Sequence, residues 1–210
     1  MAYDLEEQEQ IAQLRAWWGK YGTLVTTGLL IALIILGGWR GWQWYQNHQS
    51  GQARGYFEAL EEATRQTGDE SVARINAAMK TLRDDYAATD YAARAALVAS
   101  AALQTRDQLP AARAALEWLA QSKNQALVPV AKLRLAGLLV DQKDYEAALA
   151  QLGDAPPAFA GLFDDRRGDI YAAQGKSAQA RDAWKKALEA MGPTSPLAPV
   201  VKLKIDALGA

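Results

Sequence analysis

The sequence contains no cysteine and a single histidine, His48. The first absence excludes disulfides and thiol chemistry and leaves the redox compartment open. The second removes most histidine-based metal and acid–base sites. Charge of neither sign is in excess: 23 Lys and Arg face 24 Asp and Glu, for a formal net charge of −1 and a pI near 5.9. Nothing in that balance resembles the electrostatic footprint of a nucleic-acid-binding protein. No G-x-x-x-x-G-K-[ST], H-E-x-x-H or nucleophile elbow occurs. The adjacent carboxylates Asp84-Asp85 and Asp164-Asp165 would point about 100° apart on a helix, so neither pair readily shares a metal. The chain is expected to be non-enzymatic, with no cofactor and no metal.

What is present is unevenly spread. Hydrophobic residues make up 50% of the chain, with one dense block near the N-terminus. Residues 21–39 carry no charge and lie between Lys20 and Arg40. Those 19 residues span about 28 Å as a helix, close to the ~30 Å hydrocarbon core of a bilayer. Leu24, Val25, Leu29, Leu30, Ile31, Leu33, Ile34, Ile35 and Leu36 each favour insertion by roughly 0.3–0.6 kcal/mol, together about 4 kcal/mol. Arg40 sits at the end of the run, where its head can snorkel to the headgroups. Trp17, Trp18 and Tyr21 flank one end; Trp39, Trp42, Trp44 and Tyr45 flank the other. Aromatics gathered at both ends mark the two membrane–water interfaces, whereas a buried soluble helix, the competing reading, would spread them along one face. A cleaved signal peptide fits poorly, because its apolar core is about 7–15 residues and ends in small residues. Here bulky rings follow in GGWRGWQWY. The segment reads as an uncleaved anchor in contact with membrane lipid.

Charge leaves the orientation of that anchor open: Arg15 and Lys20 on one side balance Arg40 and Arg54 on the other. Leu14, Trp17, Trp18 and Tyr21 recur at i, i+3, i+4 and i+7. They form either an interfacial helical face or simply the first turns of the spanning helix. Within the span, Gly28 and Ala32 make a small-xxx-small pair where another membrane helix could approach, or where lipid alone packs.

Beyond His48 the composition turns to Ala, Leu, Glu, Lys and Arg at helical spacing, with no alternating β-branched runs, so the remainder is expected to be all-α. Breaks near residues 67–68, 86–89, 107–110, 122–125, 142–143, 153–157, 175 and 192–196 divide it into short helices joined by tight turns. In FDDRRGDIYAAQGKSAQARDAWKKALEAMGP, Gly168 and Tyr171 lie on a first helix, Gly175 ends it, and Ala180, Trp184, Ala187 and Leu188 stripe a second. KLRLAGLLVDQKDYEAALAQLGDAPP aligns through Ala136, Leu139, Tyr145, Ala148 and Leu152, and AALVASAALQTRDQLPAARAALEWLA through Leu103, Leu109, Ala112 and Leu116. Ala112, Ala148 and Ala180 are 36 and 32 residues apart, averaging the period of about 34 typical of tetratricopeptide hairpins. The expected architecture is a single N-terminal transmembrane helix followed by a tetratricopeptide-like helical-hairpin solenoid. A generic alanine-rich bundle is the alternative.

The residues GWRGWQWYQNHQ, the two hairpins above and the ending VKLKIDALG, in that order, resemble the ancillary SecYEG translocon subunit family, also called the YfgM family. The likeness runs from about residue 4 to the end, although this chain carries more Trp around its anchor. The resemblance implies a bacterial inner-membrane protein with a cytoplasmic tail (1–20), an anchor with its interfacial aromatics (21–45) and a periplasmic domain (46–210). That domain would hold repeats near 90–122, 127–153 and 160–192 and a capping helix at 197–208. The implied partners are the SecYEG translocon, a membrane-anchored periplasmic isomerase-type chaperone and translocating precursor polypeptides. The repeat register places Arg94, Gln104, Arg134, Asp141, Asp165, Arg166 and Asp169 on the concave, partner-binding side of the stack. A scaffold for another envelope assembly, in division or outer-membrane biogenesis, is the competing function.

Overall fold

The computed structural model describes residues 3–208, with side chains from Glu7 onward. The outermost residues of the expected tail and domain, 1–2 and 209–210, lie outside the described residues. Nine α-helices and one short 3₁₀ turn, and no strand, occur among those described: α1 (Tyr3–Arg65), α2 (Asp69–Asp85), α3 (Asp90–Gln104), α4 (Leu109–Ala120), α5 (Val128–Asp141), α6 (Tyr145–Leu152), α7 (Ala160–Ala173), α8 (Ser177–Met191) and α9 (Ala198–Ala207). The chain divides into two units, Met1–Gln49 and Ser50–Ala210.

The first unit is the N-terminal portion of α1, helical without a break from Tyr3. Its apolar side chains are uncovered: Leu24 is 74% and Ile34 73% exposed. A helix this apolar has the length to cross a membrane. Thr26 fits that setting because its hydroxyl donates back to the Gly22 carbonyl at 2.9 Å. A satisfied hydroxyl costs little in hydrocarbon.

The second unit stacks helical hairpins. The end of α1 (residues 50–65) packs with α2, and α3/α4, α5/α6 and α7/α8 follow. The hairpin turns repeat one geometry. Asp107, Lys143 and Gly175 each take a left-handed backbone, with φ of 56°, 60° and 74°. Just after each, an N–H reaches back five residues: Gln108 to the Leu103 carbonyl, Asp144 to Leu139 and Lys176 to Tyr171, all at 2.9 Å. These bonds close the orphan carbonyls of each first helix. Thr89 accepts from the Ala92 N–H at 3.3 Å and Asp144 from that of Ala147 at 3.2 Å, supplying the caps of α3 and α6.

Small residues let the helices approach closely. Ala92, Ala93, Ala95, Ala96 and Ala99 are all buried on α3, and Ala131, Ala136, Ala148 and Ala180 continue the pattern. Gly168 lies directly beneath the Trp184 indole, and Gly161 beneath Met191. Buried residues from Ala53 to Ile170 form one continuous core. Ala180, Trp184, Ala187 and Val201 form a second, separate one.

Candidate functional site

The first helices of the hairpins, α3, α5 and α7, carry the seven expected contact residues, and the structure divides them into groups. Arg94 and Asp141 are exposed and make no ion pair or side-chain hydrogen bond among the described residues. Gln104 is half-buried at the end of α3. Arg134 is exposed, and its Nη1 donates to the Leu97 carbonyl of α3 at 3.1 Å. Arg166 stands 32 residues later, at the equivalent place in the next hairpin. Its guanidinium lies across Gly137 of α5, 3.6 Å from where a Cβ would stand. Two successive arginines are thus laid back over the preceding first helix; Arg134 is exposed, whereas Arg166 is half-buried and pairs with Asp169 at 3.8 Å.

Asp165 and Asp169 are committed differently. Lys204 of α9 donates to both carboxylates at 2.7 Å. The Trp184 Nε1–H donates to the Asp165 carbonyl at 3.1 Å and to Asp169 Oδ1 at 3.2 Å. The Lys204 ammonium also stands 5.8 Å from the Trp184 ring centre. Burial alone would lower the Lys204 pKa, but the hydrogen bonds it donates to Asp165 and Asp169, with the attraction of their charges, outweigh it and hold the ammonium above its ordinary value. These two acids clasp the last helix onto α7. A signal for this was present in the sequence: Lys204 shares a helical stripe with Val201, Ile205 and Leu208, and a lysine on an otherwise apolar stripe needs a buried acid.

A second clasp had no such signal. Arg106, just past α3, donates through Nη2 to the Thr64 and Gln66 carbonyls at 2.8 and 2.7 Å. Its Nη1 reaches the Ala102 carbonyl at 2.7 Å, and its Nε the buried Ser71 hydroxyl at 3.3 Å. One guanidinium therefore closes the end of α1, the start of α2 and the end of α3.

In the N-terminal unit, Trp17 packs on Tyr21 with ring centres 5.8 Å apart, and Trp42 on Tyr45 at 6.3 Å. Trp44 stacks on His48 at 5.5 Å, and Gln49 donates to the Tyr45 hydroxyl at 2.9 Å. Trp18, Trp39 and Arg40 are exposed, as are Gly28 and Ala32. Open space lies beside Gly28 where a Cβ would stand. Among the described residues no group of three or more His, Cys, Asp or Glu side chains is placed to hold a metal ion.

Comparison with known proteins agrees with this architecture. Residues 15–210 match the tetratricopeptide repeat-like domain family. The ancillary SecYEG translocon subunit of Neisseria gonorrhoeae is 32% identical over 99% of this chain and 100% of that protein. The proteins of the same name in Haemophilus influenzae and Escherichia coli are 28% and 27% identical, over 89% and 96% of this chain and 91% and 96% of their own lengths. The chain belongs to the YfgM family of tetratricopeptide-repeat-like proteins, whose named members are ancillary SecYEG translocon subunits.

Proposed function

We propose that this protein is a non-enzymatic accessory subunit of the Sec translocon in the bacterial inner membrane. The observation that carries the reading is near-full-length similarity to relatives bearing that name. It is supported by one helix long and apolar enough to span a membrane and by the stack of helical hairpins that follows it. In this reading the N-terminal tail is cytoplasmic and the hairpin domain periplasmic. The anchor positions the domain at the channel exit, where Arg94, Arg134, Asp141 and Arg166 contact emerging precursors or a membrane-anchored isomerase-type chaperone. Mixed charge on that face suits weak contact with extended polypeptide. Tethering in a common bilayer raises the effective local concentration, so weak contacts can matter.

The test is site-specific photocrosslinking from Gly28, Ala32, Arg94 and Arg134 in intact inner membranes, with protease added to spheroplasts in parallel. Translocon subunits are expected from the anchor positions, and chaperone or precursor chains from the helix-face positions. Added protease is expected to digest the hairpin domain. Capture of division or outer-membrane assembly proteins without any translocon subunit would replace this reading with that of an envelope scaffold. Full protease protection would reverse the topology.

A further inference from the structure

Every one of the 24 Asp and Glu residues lies outside residues 10–57. The Lys and Arg residues inside that stretch are engaged differently from one another. Arg54 pairs with Glu58 at 2.7 Å, and the Lys20 ammonium stands 5.4 Å from the Tyr21 ring centre. Arg15 lies in the tail, before the apolar run. Arg40, at the far end of that run, is exposed and makes no ion pair or hydrogen bond among the described residues.

The two ends of the run also differ in how their aromatics meet glycine. At the N-terminal end the Trp18 indole lies over Gly22, 3.0 Å from where a Cβ would stand. At the other end Trp44 stacks flat on His48, with ring centres 5.5 Å and planes 9° apart. With the indole placed there, open space is left beside Gly37 and Gly41. Successive helix positions turn by about 100°, so Gly37, Arg40, Gly41 and Trp44 share one arc about 100° wide. The exposed Leu33 and Leu30 continue that arc into the apolar run. One face thus carries an unpaired guanidinium, an indole N–H about 6 Å further along the axis, a furrow between them and an apolar track leading away.

We infer that this face is a binding site for an anionic phospholipid, an inference that rests on the membrane-anchored reading above and adds a headgroup selectivity to it. The Arg40 fork donates to two phosphate oxygens, and the Trp44 N–H donates to an oxygen of the glycerol esters. The glycerol lies in the furrow beside Gly37 and Gly41, and one acyl chain follows Leu33 and Leu30. Charge decides the headgroup. A zwitterionic lipid brings its own ammonium, for which residues 10–57 offer no carboxylate. A headgroup of net negative charge meets Arg40 without that competing cation. A second copy of this chain is a poorer occupant: packing across the two glycines would bring two unpaired Arg40 heads together at the edge of a low-dielectric layer.

The test uses the purified full chain in phosphatidylcholine vesicles doped with a photoactivatable lipid, either phosphatidylglycerol or phosphatidylcholine with a diazirine high on one acyl chain. Labelled peptides are quantified by mass spectrometry. The expected result is about fivefold more labelling of residues 33–44 by the phosphatidylglycerol probe, the preference that one basic residue confers at a membrane surface. Arg40→Gln should bring that ratio to about one and Arg40→Lys should keep part of it. In both variants the ratio over residues 15–20 should stay as in the parent chain, which shows that the helix is still inserted. Benzoylphenylalanine at Leu33 should capture lipid. Equal labelling of residues 33–44 by the two probes, a ratio unchanged in Arg40→Gln, or capture of a second copy from Leu33 overturns this inference and leaves the anchor reading standing. No labelling of residues 21–39 by either probe overturns both.

Discussion

Gly168 and Gly137 are both helical glycines facing another element, yet a methyl group added to each meets a different neighbour. At Gly168 it would strike the Trp184 indole, which is itself held by hydrogen bonds to Asp165 and Asp169. At Gly137 it would rest in ordinary contact with the flexible Arg166 head at 3.6 Å. Gly168→Ala should therefore cost about 1–3 kcal/mol through overpacking. Gly137→Ala should be stabilising by up to about 1 kcal/mol through helix propensity. Thermal unfolding of the solubilised full chain, followed by far-ultraviolet circular dichroism, checks both signs. Arg106 poses the opposite case, a side chain whose removal leaves partners unmet. Arg106→Ala should lower stability by about 2–3 kcal/mol in urea unfolding, because three carbonyls and a buried hydroxyl lose a charged donor. Arg106→Lys should recover only part of that loss, since an ammonium cannot reproduce the planar fork. Position in the sequence gave no warning of this role: the acceptors lie up to 42 residues away and meet Arg106 only once α1, α2 and α3 have packed.

At the scale of elements, α9 shows how one ionisable contact holds a helix. It buries only Ala198 and Val201, so much of its attachment comes from Lys204 on Asp165 and Asp169. Lys204→Met should weaken the docking by about 1–3 kcal/mol, because two neighbouring carboxylates are left partly buried without their cation. The sign of the pH dependence follows from the raised Lys204 pKa in the folded state. The contribution is fully present below the ordinary lysine value of about 10.4 and is lost as pH rises through the higher folded value. The difference in thermal midpoint between the parent chain and Lys204→Met should therefore be constant near neutrality and shrink in strong alkali. Helix boundaries show what local pattern does and does not carry. Turns at Asp107, Lys143 and Gly175 repeat at the spacing of the buried alanines, because both arise from the same close approach of two helices. The change in composition at GQARG, by contrast, is no structural break. Helix α1 continues through Gly51 and Gly55 to Arg65, since a helical glycine costs about 1 kcal/mol and does not end a helix that tertiary packing supports.

Across the whole molecule, fold class was legible because it depends on properties the sequence displays directly: an uncharged run of bilayer length, aromatics at its ends, and small residues recurring every hairpin. The candidate face was legible only in part. Repeat register put all seven residues on first helices, but only burial and pairing separate the exposed Arg94, Arg134 and Asp141 from Asp165 and Asp169, which Lys204 engages from 39 and 35 residues away. That distinction depends on where a helix with no sequence likeness to the repeats comes to rest. The separation of the buried residues into two cores has a consequence for how the domain comes apart. In a stacked solenoid each layer is stabilised by its neighbours, and the layer formed by α8 and α9 is held by the smaller core of Ala180, Trp184, Ala187 and Val201. Amide hydrogen exchange should accordingly be faster in α8 and α9 than in α3 to α5, and the reverse order would show that the two cores melt as one.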